Sequence, residues 1–92
     1  MNSGYQKNDV HVVRRRLLIS GLVQGVGFRW AYRRVAEAAG AAGWARNLAD
    51  GRVEVLLEGP ADAVAKVEAW CHTGPRHAVV TGVEDEEHSP PE

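Results

Sequence analysis

Gly21-Leu22-Val23-Gln24-Gly25-Val26-Gly27-Phe28-Arg29, read as GLVQGVGFR, lies between a β-favouring run and a stretch whose apolar residues recur at helical spacing. Glycine weakens strand and helix alike, so three glycines in nine residues mark a place where a side chain would obstruct something. The segment reads as a tight strand-to-helix turn. It also has the makings of a backbone cradle for an anion, with Arg29 as its charged clamp.

Working outward, Arg14–Leu22 carries the apolar run Leu17, Leu18, Ile19 and reads as a strand entering the loop. From Phe28 to Ala39, residues Phe28, Ala31, Tyr32, Val35, Ala36 and Ala39 form one apolar face, which predicts an amphipathic helix ended by Gly40. Gly43–Leu48 and Arg52–Leu57 are strand-like runs joined by Ala49-Asp50-Gly51, and Asp-Gly between such runs signals a hairpin. Pro60 suits the first position of a second helix, whose face carries Val64, Val67, Trp70 and Cys71 and whose end falls at Gly74-Pro75. Ala78–Val83 alternates as a fourth strand. The order β-α-β-β-α-β, with short connections and right-handed crossovers, predicts a ferredoxin-like α+β sandwich: an antiparallel sheet with two helices on one face. Residues 1–12 read as a flexible N-terminal tail, 13–84 as the folded domain and 85–92 as an acidic tail expected to be disordered.

At 92 residues the chain is sized for one domain, and its 45% hydrophobic content is ordinary for a globular protein. No apolar run is long enough to span a bilayer, so no membrane partner is expected. Cys71 is the single cysteine and can form no internal disulfide; with no secretory layout at the N-terminus, a cytoplasmic location is expected. A net charge of −1 argues against a general nucleic-acid binder. Residues 1–52 nevertheless hold nine Lys and Arg against three acids, and residues 53–92 two against nine, so the halves carry about +6 and −7. The glycine loop lies in the basic half, where an anionic ligand would be drawn.

The loop meets the N-terminus of the first helix, where unpaired N–H groups and the helix dipole favour negative charge. Arg29 in the first turn can add a bidentate contact to phosphate or carboxylate. No GxxxxGK is present, and a GxGxxG begun at Gly25 places Trp30 at its last glycine, so a nucleotide site is not indicated.

These residues resemble the acylphosphatases, whose motif of a glycine, a variable residue, Val-Gln-Gly-Val, one further residue and Phe-Arg appears here as Gly21 through Arg29. A second block of that family is matched by Gly43-Trp44-Ala45-Arg46-Asn47 and the following Asp50-Gly51, and the resemblance runs from about Arg15 to Val83. It implies hydrolysis of the carboxyl–phosphate mixed anhydride of an acyl phosphate to a carboxylate and inorganic phosphate, with no metal and no cofactor. Carried over by position, Arg29 and the amides of Gln24, Gly25, Val26, Gly27, Phe28 and Arg29 would bind the phosphoryl group, and Asn47 would hold the attacking water. A carboxylate leaves readily without a general acid, so a site with no His, Cys or carboxylate cluster suffices. The resemblance also leads one to expect a further short strand of the Phe-x-Ile-Arg type, before which this sequence stops; a monomer is expected. Ala41-Ala42 stand where the family often has a bulkier apolar pair, implying a thinner core there.

Read without the resemblance, Asn47 is a strand-end side chain bonding the local backbone and Arg29 a surface helix arginine. Trp44 reads as core or sheet packing, while Trp30 and Tyr32 could either pack or rim the site. Cys71-His72-Thr73-Gly74-Pro75-Arg76 faintly resembles a cysteine-phosphatase loop, but four residues instead of five separate its Cys and Arg, and the cysteine ends a helix. Two other readings share the element order. A non-catalytic RNA-binding module would need stacking aromatics on the third strand, where Arg52–Glu58 has none; the other is a carbamoyl-phosphate-handling accessory domain.

Overall fold

The computed structural model describes residues 12–87. The elements run β1 (Val12–Leu22), α1 (Phe28–Ala39), β2 (Ala42–Asn47), β3 (Val53–Pro60), α2 (Ala61–Cys71) and β4 (Val79–Glu87). The four strands form one antiparallel sheet in the order β2-β3-β1-β4, with β1 and β3 at its centre. This is the ferredoxin-like α+β arrangement that the element order predicts.

Alternation along the two central strands decides where the core sits. Leu17 and Ile19 of β1 and Val53, Val55 and Leu57 of β3 point to one face and are fully buried. Against them α1 lays Phe28, Tyr32 and Ala36, spaced four residues apart, and α2 lays Ala63, Val64, Val67 and Cys71. Each fully buried apolar side chain of this size stabilises the fold by about 1.5–3 kcal/mol relative to exposure. Phe28 meets Trp70 with ring centroids 5.2 Å apart and the planes tilted by 49°, which ties the start of α1 to α2.

Helix α1 has the predicted bounds. Its end is satisfied by paired bonds, Gly40 N–H to the Glu37 carbonyl at 3.2 Å and Ala41 N–H to the Ala36 carbonyl at 2.9 Å. Other boundaries move because pairing across the sheet, not local sequence, sets them. Strand β3 extends to Pro60, which pairs with Val12, so Pro60 caps α2 in an extended conformation (ψ 145°) instead of opening the helix. Helix α2 stops at Cys71; the Thr73 and Gly74 N–H groups both return to the Trp70 carbonyl, at 2.9 and 2.8 Å. Beside Ala41 and Ala42 a surface cleft of about 220 Å³ opens, where bulkier side chains would have filled space.

The described strands reach past the domain bounds 13–84 that the sequence suggested. Val12 already belongs to β1, while residues 1–11 lie outside the described residues. Strand β4 runs through Asp85, Glu86 and Glu87, so the domain continues past residue 84; residues 88–92 lie outside the described residues. The reason is charge pairing across β1 and β4: Arg15 lies 3.6 Å from Asp85 and Arg16 lies 3.5 Å from Glu86.

On the sheet face opposite the helices, Glu54 is 2% exposed and is held between two arginines. Arg46 Nε donates to Oε1 at 2.5 Å, and Arg16 Nε donates to Oε2 at 2.6 Å. The Arg46 hydrogen bond, joined by Arg16 against the opposing effect of burial, holds the Glu54 carboxyl below its ordinary range. Three neighbouring strands, β1, β3 and β2, are thereby tied by one carboxylate.

Candidate active site

Two backbone conformations shape the loop between β1 and α1. Gly25 (φ 75°) and Gly27 (φ 82°) are both left-handed, and a Cβ at either would meet nothing within 4 Å. The constraint there is therefore conformational, at about 1–2 kcal/mol for an L side chain, and not protein crowding. The space left open is the space a ligand would occupy.

Gly27 is the N-cap of α1, offers no side-chain cap, and is followed by no acidic residue in the first turn. Among the described residues, the backbone N–H groups of residues 24 to 30 find no acceptor. Such a run is normally satisfied by capping side chains, water or a ligand. Here it is concentrated at the positive end of a helix dipole, the setting that favours an anion.

A cleft of about 140 Å³ opens on this loop, lined by Val23, Gly25, Gly27, Phe28, Arg29, Trp30 and Asn47. No carboxylate borders it. Arg29 lies in the first turn of α1, is exposed, and has no hydrogen-bond or ion-pair partner among the described residues. The other arginines of the sheet behave differently, since Arg14, Arg16, Arg46 and Arg52 each face a carboxylate. Asn47 ends β2 opposite Val53 and is likewise exposed, with no hydrogen bond from its side chain among the described residues. The local backbone bond that a strand-end asparagine would ordinarily make is absent.

That turn is held by Gln24 instead. Its Nε2 donates to the Leu48 carbonyl at 2.8 Å and to the Arg52 carbonyl at 2.9 Å. The hairpin is closed further by Leu48 N–H on the Arg52 carbonyl at 2.8 Å and by Asp50, which accepts from the Arg52 backbone at 3.0 Å and side chain at 2.9 Å. Gln24 thus pins the β1–α1 loop to the hairpin that carries Asn47 at its edge, a contact that its place in a glycine loop did not announce.

The remaining aromatic positions divide plainly. Trp30 is 66% exposed and rims the cleft, with the Arg34 guanidinium 4.8 Å from its ring centre. Tyr32 is buried, donates to the Leu56 carbonyl at 3.0 Å, and has its hydroxyl pushed above its ordinary value by burial and then by Cys71. Gly43 is required beneath it, because a Cβ there would run into the backbone carbonyl of Leu56 and would also lie 2.7 Å from the Tyr32 hydroxyl. Trp44 is 45% exposed on the edge strand β2 with Arg46 5.5 Å from its ring centre, so of the two readings, core or sheet packing, it takes the second.

Cys71 is fully buried, and burial followed by the charge of Glu68 pushes its thiol up to about 12. A thiolate nucleophile there is disfavoured. Strand β3, Val53–Pro60, bears no aromatic side chain on which a base could stack. Among the described residues no three His, Cys, Asp or Glu side chains converge as metal ligands, and no helix is long and apolar enough to cross a membrane.

An unpartnered amide run, an arginine and an asparagine around one cleft of an α+β sandwich are groups that could hold a phosphoryl group. Comparison with known proteins narrows the reading. The acylphosphatase family model matches residues 15–92. The acylphosphatase of Rubrobacter xylanophilus is 57% identical over 80% of this chain and 67% of its own length. That of Alkalilimnicola ehrlichii is 57% identical over 76% of this chain and 79% of its own. A solved acylphosphatase structure from Coxiella burnetii superposes with a TM-score of 0.82 at 31% identity, covering 98% of this chain and 93% of that one. The chain belongs to the acylphosphatase family.

The Gln24 bonds carry a direct expectation. Gln24→Ala should let the loop and the hairpin drift apart, lowering kcat for an acyl phosphate by about 10- to 100-fold, the scale of loss when catalytic groups are misplaced by about 1 Å. With the loop amides and Arg29 left in place, affinity for inorganic phosphate is expected to change less than kcat. Steady-state kinetics with phosphate as a competitive inhibitor reads both, and equal losses in the two would assign Gln24 to binding.

Proposed function

We propose that this enzyme hydrolyses acyl phosphates at the cleft shared by the β1–α1 loop, Arg29 and Asn47. The observation that carries this reading is the unpartnered N–H run of residues 24 to 30, whose Gly25, Gly27, Phe28, Arg29 and Trp30 line the same cleft as Asn47, the Arg29 and Asn47 side chains being unpaired among the described residues. The amides of Gln24, Gly25, Val26, Gly27, Phe28 and Arg29 hold the phosphoryl oxygens, and the Arg29 guanidinium adds a charge-assisted fork. Asn47 orients a water molecule toward phosphorus.

The water oxygen forms a new P–O bond as the bond between phosphorus and the acyl oxygen breaks. The departing electron pair stays on the acyl oxygen as a carboxylate, and the water proton passes to a phosphoryl oxygen. A carboxylate with a pKa near 4 needs no protonation to leave, so positioning and charge stabilisation are the protein's tasks.

The test is an assay of the purified protein in chelator, comparing benzoyl phosphate with phenyl phosphate. Release of phosphate from the first at a rate at least about 10³ times that from the second is expected, since only the first has a leaving group that needs no acid. Comparable rates on both would overturn the mechanism.

A further inference from the structure

Next to the phosphoryl cleft lies a second, larger one of about 280 Å³, lined on α1 by Arg29, Trp30, Tyr32 and Arg33 and on β2 by Gly43 to Ala45. The two share Arg29 and Trp30 as a common wall. In-line displacement places the entering water and the leaving carboxylate on opposite sides of phosphorus. Asn47 borders the smaller cleft only, so the larger cleft is a neighbouring space, across the Arg29–Trp30 wall, that the water-holding residue of the hydrolase reading does not line.

The lining has a definite chemistry. The α1 wall contributes two guanidiniums and the exposed Trp30 indole, the β2 wall contributes Gly43 to Ala45, and no carboxylate lines the cleft. Arg33, like Arg29, has no ion-pair or hydrogen-bond partner among the described residues. The Trp30 indole already carries a further cation on its ring, Arg34, which makes the surroundings more positive still. Resting on the hydrolase reading above, we infer that the larger cleft is an acyl subsite, and that Arg33 selects acyl phosphates whose acyl chain ends in a second negative charge.

Acetyl phosphate and succinyl phosphate test this directly, since they present the same reacting bond and differ by a distal carboxylate. The wild-type enzyme should show the higher kcat/KM on succinyl phosphate, and the advantage should shrink as salt is raised. Arg33→Ala should lower kcat/KM for succinyl phosphate by about tenfold while acetyl phosphate stays within about twofold, and Arg33→Lys should restore part of the difference. Acetyl phosphate turnover also reports that the variant is folded. Equal losses on both substrates, or none on either, would overturn the acyl subsite and leave the phosphatase standing. A wild-type enzyme that hydrolyses neither would instead overturn the phosphatase reading itself.

Discussion

Arg29→Ala is expected to lower kcat/KM for an acyl phosphate by about 10³–10⁵-fold, the range associated with an arginine that stabilises a transferring phosphoryl group. The guanidinium meets negative charge both in the bound substrate and in the transition state, so KM should rise and kcat should fall together. Inorganic phosphate should cease to inhibit at concentrations that saturate the native enzyme. Stability should hardly change, because Arg29 is exposed and bonds to no other described residue. Arg29→Lys keeps a charge but loses the planar fork, and should recover binding more than turnover. Near-normal phosphate inhibition in Arg29→Ala would remove the arginine from the site.

The stretch that decided the fold also decided most of the site, and the reason is physical. A strand, a glycine loop and a helix N-terminus that follow one another in sequence must be adjacent in space, so the cradle of residues 24–29 is local information. Phe28–Ala39 was legible to the residue for a similar reason, since its apolar spacing and its glycine stop are both local. Ends that depend on a partner strand were not. Pro60 reads as a helix start until β1 is known to extend back to Val12, and Asp85 to Glu87 read as a tail until Arg15 and Arg16 are placed beside them.

The same distinction separates the site residues that were legible from those that were not. Gln24 was visible as part of the loop, but its side chain works on carbonyls 24 and 28 residues away. Glu54 read as one polar position in an alternating strand, and only the sheet register brings Arg16 and Arg46 to it from strands on either side. Trp44 left core and sheet packing open in the sequence, and only the strand order decides between them: β2 lies at the edge of the sheet, where the indole stays 45% exposed beside Arg46.

Asn47→Ala separates chemistry from binding. The Asn47 side chain borders the cleft of the β1–α1 loop without a hydrogen bond to another described residue, while the hairpin that carries it is already secured by Gln24, Asp50 and the Leu48–Arg52 backbone bond. Removing the amide should therefore cost little stability, within about 0.5 kcal/mol for an exposed side chain free of such features. Its loss from the cleft is a different matter. By analogy with deleting one preorganised polar group at a reacting centre, kcat should fall about 10²–10³-fold, or roughly 3–4 kcal/mol of transition-state stabilisation. Phosphate affinity should stay close to that of the native enzyme, because the loop amides and Arg29 are untouched. A strand-end asparagine with a purely structural role would give the reverse pattern, a lower melting temperature with kcat retained per folded molecule. Melting temperature, phosphate inhibition and kcat measured on one preparation distinguish the two, and an unchanged kcat would leave the attacking water without a holder among the residues of this cleft.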